Sequence, residues 1–208
     1  MKKQDKLNIV FEDKYLLVVN KPTKLLTIST LKEKDNTLFH QVVEYLHKKN
    51  QKSFIVHRLD KDTSGLVLFA KDLKTKQYMQ NNWDSVIRKY YAKVIGDVKK
   101  PGEIKSYLME NSSLITYITK DEQKGKLAIT KYWPITHNKD YSILDIEILT
   151  GRKNQIRVQL NSIGHPVVGD KKYGNNKSTR LMLQAYYLEF SHPISKERLK
   201  FELWNQLT

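Results

Sequence analysis

The sequence predicts an α+β fold with a central mixed, mostly antiparallel sheet flanked by helices. Short apolar runs recur along the 208 residues, and only a few segments show helical periodicity. Several predicted strands follow one another without a helix between them, which is typical of this class. Because the chain has no internal repeat and no linker rich in Pro, Gly or Ser, we expect residues 1–208 to form one domain.

The N-terminal part begins with strands predicted over residues 7–11 and 15–19, joined by a short turn. Pro22 ends the second strand, because proline donates no hydrogen bond to a sheet. Asp35 and Asn36 are candidate N-caps of a helix whose apolar residues recur at helical spacing.

Two buried strands, over residues 54–56 and 66–70, are predicted on either side of a polar loop. Asp72 is the expected N-cap of a short helix that ends near Trp83. The C-terminal part has a helix over residues 154–163, stopped by Gly164. Further strands are predicted over residues 90–95, 127–135, 141–149, 181–190 and 199–204.

The charge of the chain indicates its partner. Lys and Arg number 37 against 22 Asp and Glu, a net charge of +15, so we expect a polyanion, and RNA or DNA first. The absence of cysteine excludes a disulfide scaffold, a zinc–thiolate site and an iron–sulfur cluster. With no apolar run of membrane-spanning length and no apolar N-terminal stretch, we expect no membrane partner and a cytoplasmic location.

Residues 56–65 are the most informative candidate site. A charged loop between two rigid strands suits a positioned carboxylate, and Asp60 is the candidate. A solvated turn is the plain alternative, because Asp, Thr, Ser and Gly favour turns. The Asp60-x-Asp62 spacing also resembles a metal-dependent phosphatase loop, although His57 and Arg58 interrupt the strand that should precede it.

Two further segments carry polar chemistry. Residues 149–159 place a strand end, a glycine and a helix start in succession, with Arg152 and Arg157 adding positive charge. An ordinary basic, solvated helix face is the alternative for these arginines. Residues 163–174 hold three glycines and a proline, which indicates a tightly shaped loop. Nucleotide-binding glycine loops and common hydrolase and metalloprotease motifs are missing.

Together these segments resemble the RluA-type family of RNA pseudouridine synthases. Five matches run in the family's order. They are Asn20-Lys21-Pro22; His57-Arg58-Leu59-Asp60 with Thr63-Ser64-Gly65; Tyr90-x-Ala92 with Gly96; Gly125-x-x-Ala128-x-Thr130-x-Tyr132; and the C-terminal motifs Gly151-Arg152, Gln155-Ile156-Arg157 and the loop from Gly164 to Gly174. Five ordered matches make a chance resemblance improbable. Few residues precede the catalytic motif, so we expect a stand-alone catalytic domain without an S4 RNA-binding module.

The resemblance implies a pseudouridine synthase catalytic domain that isomerises uridine in a stem-loop of rRNA or tRNA, as a monomer, without cofactor or metal. It implies that Asp60 is the catalytic carboxylate, that Tyr90 packs on the target base, and that Arg157 pairs with Asp60. Contacts to RNA are expected from four further side chains: Arg58, His57, Arg152 and Lys21. A non-catalytic RNA-binding protein on the same fold is the other alternative.

The chain departs from the family pattern at five positions. Asn154, Gln159 and Gln184 stand where the family usually has histidine, Lys24 stands for a glycine, and Arg88 stands for a lysine. These departures concern contacts around the site and substrate choice more than the reaction.

Overall fold

A computed structural model describes residues 7–30, 33–174 and 178–207, and these residues form two compact units. The first unit contains the chain up to Val86 together with Glu189–Leu203, and the second contains Ile87–Leu188 and the chain from Trp204. The prediction of one domain over residues 1–208 stays a prediction. Residues 1–6, most of the N-terminal stretch expected to lack an apolar run, lie outside the described residues.

The first unit is built on a small antiparallel sheet. Its strands are β1 (Ile9–Glu12), β2 (Leu16–Lys21), β3 (Phe54–Ile55) and β4 (Ser64–Ala70), in the order β1-β2-β4 with β3 also beside β4. The apolar side chains of β2 and β4 are fully buried, since both strands are almost continuous apolar runs. This register sets Lys21 opposite Gly65, at the end of the polar loop.

Two helices belong to this unit, α1 (Leu38–His47) and α2 (Leu73–Asn81), followed by a 3₁₀ turn over Trp83–Ser85. Asp72 is the N-cap of α2, as predicted, since its carboxylate accepts the N–H of Thr75 at 2.7 Å. The prediction that Asp35 or Asn36 caps α1 is wrong. Thr37 is the N-cap, because its extended backbone lets Oγ1 accept the N–H of His40 at 3.1 Å.

The second unit holds a larger sheet with neighbours in the order β10-β5-β9-β8-β6-β7. The strands are β5 (Ile87–Ile95), β6 (Gly102–Glu110), β7 (Thr116–Thr119), β8 (Lys126–His137), β9 (Tyr141–Ile148) and β10 (Leu183–Ser191), whose last residues belong to the first unit. The last strand, β11 (Arg198–Glu202), lies in the first unit.

Helix α3 (Gln155–Ser162) packs beside β6, β7 and β8, and Gly164 follows it with a φ of 83°. Alternation in β9 buries Leu144, Ile146 and Ile148, as its sequence predicts. Strands β6 and β7 were not predicted, because lysines, glutamates and serines interrupt their apolar pattern.

These elements confirm the α+β class with a mixed, mostly antiparallel sheet flanked by helices. The pairs β1–β2, β2–β4, β3–β4, β5–β9, β8–β9, β6–β8 and β6–β7 are antiparallel. A single-residue bridge between Leu26 and Thr37 is parallel. Within the described ranges, no helix is both long enough and apolar enough to cross a membrane.

Candidate active site

Asp60 lies in the loop between β3 and β4, at the first position of a tight turn. The N–H of Thr63 donates to the carbonyl oxygen of Asp60 at 3.2 Å, with Lys61 and Asp62 at the two central positions. Aspartate favours the first position of such turns. Asp60 is half-buried. The solvated-turn alternative is therefore correct about the backbone, and the strands at either end hold this turn in place.

Lys21 is the last residue of β2, and its side chain binds this loop. Its side chain is fully buried, with 0% exposed. Its Nζ donates to three carbonyl oxygens, those of Leu25 at 2.7 Å, Pro22 at 3.0 Å and Lys61 at 3.1 Å. The prediction that Lys21 contacts RNA is wrong, because a side chain without exposed surface cannot reach a phosphate.

The charge of Lys21 is set by two opposing effects. Burial lowers the pKa of Lys21 to about 8, while the carboxylates of Asp62 and Asp60 act in the opposite direction. The structure therefore brings together Lys21 and Asp60, two of the residues selected from the sequence, and gives the lysine an electrostatic role.

Two threonines that follow β2 attach the same loop, and the sequence analysis missed both. The hydroxyl of Thr27 donates to the carbonyl oxygen of Leu59 at 2.7 Å and accepts the N–H of Leu59 at 3.2 Å. Thr23 donates to the carbonyl oxygen of Asp62 at 2.7 Å. Their closeness to the Asn-Lys-Pro motif was the available signal. The residues beside Asp60 are thus fixed through their backbone atoms.

His57 and Arg58 have different environments. His57 Nε2 accepts the N–H of Leu68 at 3.0 Å, and the imidazole lies against Trp83 with 4.6 Å between ring centroids. These contacts give His57 a role in holding the loop; contact with RNA stays a prediction for it. Arg58 is exposed, and among the described residues it forms no ion pair with Asp62. Contact of Arg58 with RNA stays a prediction.

Lys24 illustrates why the family pattern has a glycine at its position. Its φ is 65°, in the left-handed region that glycine adopts without steric cost. Gly65, at the other side of the loop, has a φ of 118°. The segment after β2 therefore keeps its shape with a lysine in the glycine position.

Arg157 connects several buried polar side chains of the second unit. Its Nε and one terminal nitrogen donate to the two carboxylate oxygens of Asp170, both at 2.7 Å, and both residues are buried. The other terminal nitrogen donates to Asn154 Oδ1 at 2.8 Å. The alternative of an exposed helix face is wrong for Arg157. Its pairing with Asp60 stays a prediction.

Asp170 is held ionised by this arrangement. Burial opposes the charge, but the hydrogen bonds and charge of Arg157 outweigh it and hold the pKa of Asp170 below its usual range. The backbone N–H groups of Lys172 and Tyr173 also donate to Asp170 Oδ1, at 2.9 and 3.0 Å. Asp170 was not selected from the sequence, although it lies in the glycine-rich segment that was.

The residues that replace histidine make neutral hydrogen bonds. Asn154, with a φ of 54°, donates to the hydroxyl of Tyr173 at 3.2 Å. Gln159 is fully buried and accepts from Thr130 at 2.6 Å, while its amide donates to the three oxygens of Ile104, Ser106 and Ala128. Gln184 donates to the carbonyl oxygen of Trp204 at 3.1 Å. Each of these amides therefore forms hydrogen bonds at its position without the titratable ring of a histidine.

Tyr90 and Arg152 complete the predicted residues. Tyr90 is largely buried on β5, opposite Ile146 of β9. Arg152 is exposed just before α3, and its Nε donates to the carbonyl oxygen of Leu127 at 2.9 Å. Among the residues that the structure describes, no three His, Asp or Glu side chains converge in a way that could hold a metal ion.

Comparison with known proteins places this chain in one class, the RNA-modifying enzymes that make pseudouridine. The family described as RNA pseudouridylate synthase matches residues 15–162. Ribosomal large subunit pseudouridine synthase D of Zymomonas mobilis is 34% identical over 94% of this chain and 68% of its own length. Ribosomal large subunit pseudouridine synthase C of Rickettsia prowazekii is 33% identical over 93% of this chain and 66% of its own length.

A solved structure agrees with these relatives. Human RNA Pseudouridylate Synthase Domain Containing 1 superposes with a TM-score of 0.80 at 25% identity, covering 95% of this chain and 83% of that one. The chain belongs to the RNA pseudouridylate synthase family, enzymes that isomerise uridine to pseudouridine in RNA. It spans about two thirds of the length of the curated relatives. This membership decides against both the phosphatase and the non-catalytic RNA-binding protein.

Proposed function

We propose that this chain converts uridine to pseudouridine in ribosomal RNA, with Asp60 as the reactive carboxylate. The observation that carries the proposal is the turn at Asp60, whose neighbours are fixed by Thr27 and by the buried ammonium of Lys21. The names of the curated relatives support ribosomal RNA as the substrate. Transfer RNA is the other substrate class, and we propose a monomer acting in the cytoplasm.

The reaction needs few groups. The bond between N1 of uracil and C1′ of ribose breaks, the base turns, and a bond from C5 to C1′ forms. The proton on C5 leaves and N1 gains one, so no electrons enter or leave. One ionised carboxylate can supply the nucleophile or the base. The positive charge of Lys21 attracts the carboxylate of Asp60.

Three other side chains have proposed roles. Tyr90 packs against the target uracil, and Arg157 pairs with Asp60 during the reaction. Arg58, exposed two residues before Asp60, enters the space that the uridine leaves when it is extruded from the RNA stack. Its flat guanidinium can stack on bases and pair with phosphates.

The test is tritium release from large-subunit ribosomal RNA transcribed with uridine labelled at C5. We expect Asp60→Asn to reduce turnover by at least about 1000-fold and to leave the RNA dissociation constant within a few-fold. Asp62→Asn, which changes an exposed carboxylate of the same turn, is the matched control and should stay active. Appreciable turnover by Asp60→Asn would refute the assignment. Tritium release from transfer RNA alone would make transfer RNA, and not ribosomal RNA, the substrate.

A further inference from the structure

The tip of the β6–β7 hairpin holds a leucine in a conformation that L-amino acids rarely adopt. Leu114 has a φ of 58°. Its N–H donates to the carbonyl oxygen of Asn111 at 2.9 Å, and Asn111 is bonded to Ile115 through both its backbone and its side chain. Glycine or asparagine would fit this position with less strain. The turn therefore presents a leucine where backbone sterics alone favour another residue.

This tip is apolar and exposed. Leu114 is 60% exposed, and Ile115, Tyr117 and Ile118 are each about two-fifths exposed. Tyr117 and Ile118 are successive residues of β7 and point to opposite faces of the sheet, so the exposed apolar side chains that project together from the turn are those of Leu114 and Ile115. Neighbouring exposed apolar side chains are a feature of interaction sites. We call Leu114 and Ile115 the apolar tip.

The apolar tip is attached to the cluster around Arg157. Lys172 Nζ donates to the carbonyl oxygen of Leu114 at 2.9 Å, and the N–H of Thr116 donates to the hydroxyl of Tyr173 at 3.1 Å. The Arg157 guanidinium lies 5.1 Å from the ring centroid of Tyr173. The tip is thus fixed relative to the arginine to which we assign an active-site role.

Positive charge accompanies the tip. Lys153 forms an ion pair at 2.5 Å with Glu110, at the end of β6, and Arg152 precedes it on the exposed surface. Lys172 uses one of its three N–H donors on the hairpin and retains two. Glu110 compensates the charge of Lys153, which leaves Arg152 and Lys172 as the cations beside the apolar projection. This combination suits RNA, because phosphates attract the cations and apolar side chains contact the base faces.

We infer that the apolar tip of Leu114 and Ile115 packs against unstacked nucleobases of the RNA substrate. This inference rests on the proposed function and assigns part of its substrate contact. The strained turn holds the two side chains outward before RNA arrives, so less ordering is needed on binding.

The experiment compares Leu114→Asn with Leu114→Met. Asparagine accepts the left-handed backbone but removes the apolar contact, while methionine keeps an apolar side chain. Ile194→Asn is the matched control, because Ile194 is similarly exposed, at 57%, in the turn before β11. We measure tritium release and RNA affinity with the same ribosomal RNA transcript, and salt dependence of the affinity from 50 to 200 mM KCl.

We expect Leu114→Asn to weaken RNA affinity by about 5- to 30-fold with an unchanged salt slope, since the lost contact is apolar. Leu114→Met should lose less than 3-fold, and Ile194→Asn nothing. Turnover at saturating RNA should change little. The inference would be overturned if Leu114→Asn bound RNA as tightly as wild type, or if Leu114→Asn and Ile194→Asn lost equal affinity. It would also be overturned if the wild type formed a dimer, and Leu114→Asn abolished that dimer without weakening RNA affinity. An inactive wild type would instead refute the proposed function.

Discussion

Two buried cations, Lys21 and Arg157, are held in opposite ways. The ammonium of Lys21 donates to three neutral carbonyl oxygens, and its carboxylate neighbours act through space. The guanidinium of Arg157 donates to both oxygens of the buried carboxylate of Asp170. Dipoles stabilise a buried charge less completely than a matched counter-ion does. Lys21 can therefore lose its charge as the pH rises through its pKa of about 8, whereas Arg157 keeps its charge.

The two cations also differ in what they hold. Lys21 binds backbone carbonyls of the segment after β2 and of the Asp60 turn, so its charge contributes to the shape of that turn. Arg157 joins α3 to the loop that follows it through the carboxylate of Asp170. Each cation can therefore be tested by removing its partners or its charge.

The largest effect is expected for Asp170→Asn. The substitution leaves the buried charge of Arg157 without its counter-ion, which costs about 3–5 kcal/mol of unfolding free energy. Urea unfolding followed by circular dichroism measures it. Asp140→Asn, an exposed aspartate before β9, is the control and should change stability by less than about 0.5 kcal/mol. A similar small change for Asp170→Asn would show that the ion pair is dispensable.

Lys21→Met should reduce turnover by about 10- to 100-fold and leave RNA affinity within a few-fold. Methionine removes the positive charge near Asp60 and leaves three carbonyl groups without their donor. Single-turnover kinetics and a binding assay with the same RNA separate the two quantities. Lys24→Met, three positions along and exposed, should be close to wild type. A weaker RNA affinity with normal turnover would contradict this role.

The alkaline pH dependence should distinguish the two cations. Turnover should fall above pH 8, by up to about tenfold per pH unit, because the folded pKa of Lys21 is about 8 and the neutral amine no longer supports the turn. Stability should change in the opposite direction. From pH 8 to 10.5 the unfolded chain binds one more proton at Lys21 than the folded chain does, so the unfolding free energy contributed by this group rises with pH.

Rate measurements from pH 6.5 to 9.5, with urea unfolding at pH 7.5 and 9.5, measure both effects. The Lys21→Met enzyme should lack this alkaline loss and this gain in stability. An identical alkaline profile in wild type and Lys21→Met would assign the titration to another group. Asp170 has its effect at acid pH. Its contribution to the unfolding free energy is fully present above the pKa of aspartate in the unfolded chain, and it is lost as the pH falls through the lower pKa of Asp170 in the folded chain.

The smallest effect is expected for Thr27→Val, which keeps the side-chain volume and removes the hydroxyl between the two backbone atoms of Leu59. We expect a loss of about 1–3 kcal/mol in unfolding free energy, with turnover reduced less than in Lys21→Met. Thermal unfolding and tritium release measure the two quantities. A larger effect on turnover than that of Lys21→Met would mean that backbone anchoring, and not charge, dominates at Asp60.

Most of the fold could be predicted from local patterns. The apolar runs of β2 and β4, the alternation of β9 and the cap at Asp72 all appear in the structure. The failures have local causes as well. Strands β6 and β7 lack a clear apolar pattern, and three successive cap-forming residues left the true cap, Thr37, ambiguous.

The sequence alone determined the family, because five motifs in a fixed order identify it, and it determined the class of fold through hydrophobic periodicity. Only the tertiary structure decided what the charged residues do. Lys21, Arg157 and Asp170 are as polar as the surface lysines around them, and one-dimensional patterns cannot distinguish a buried charge from a solvated one. Burial depends on which segments the register brings together, such as Lys21 opposite Gly65, and that register is a property of the folded chain.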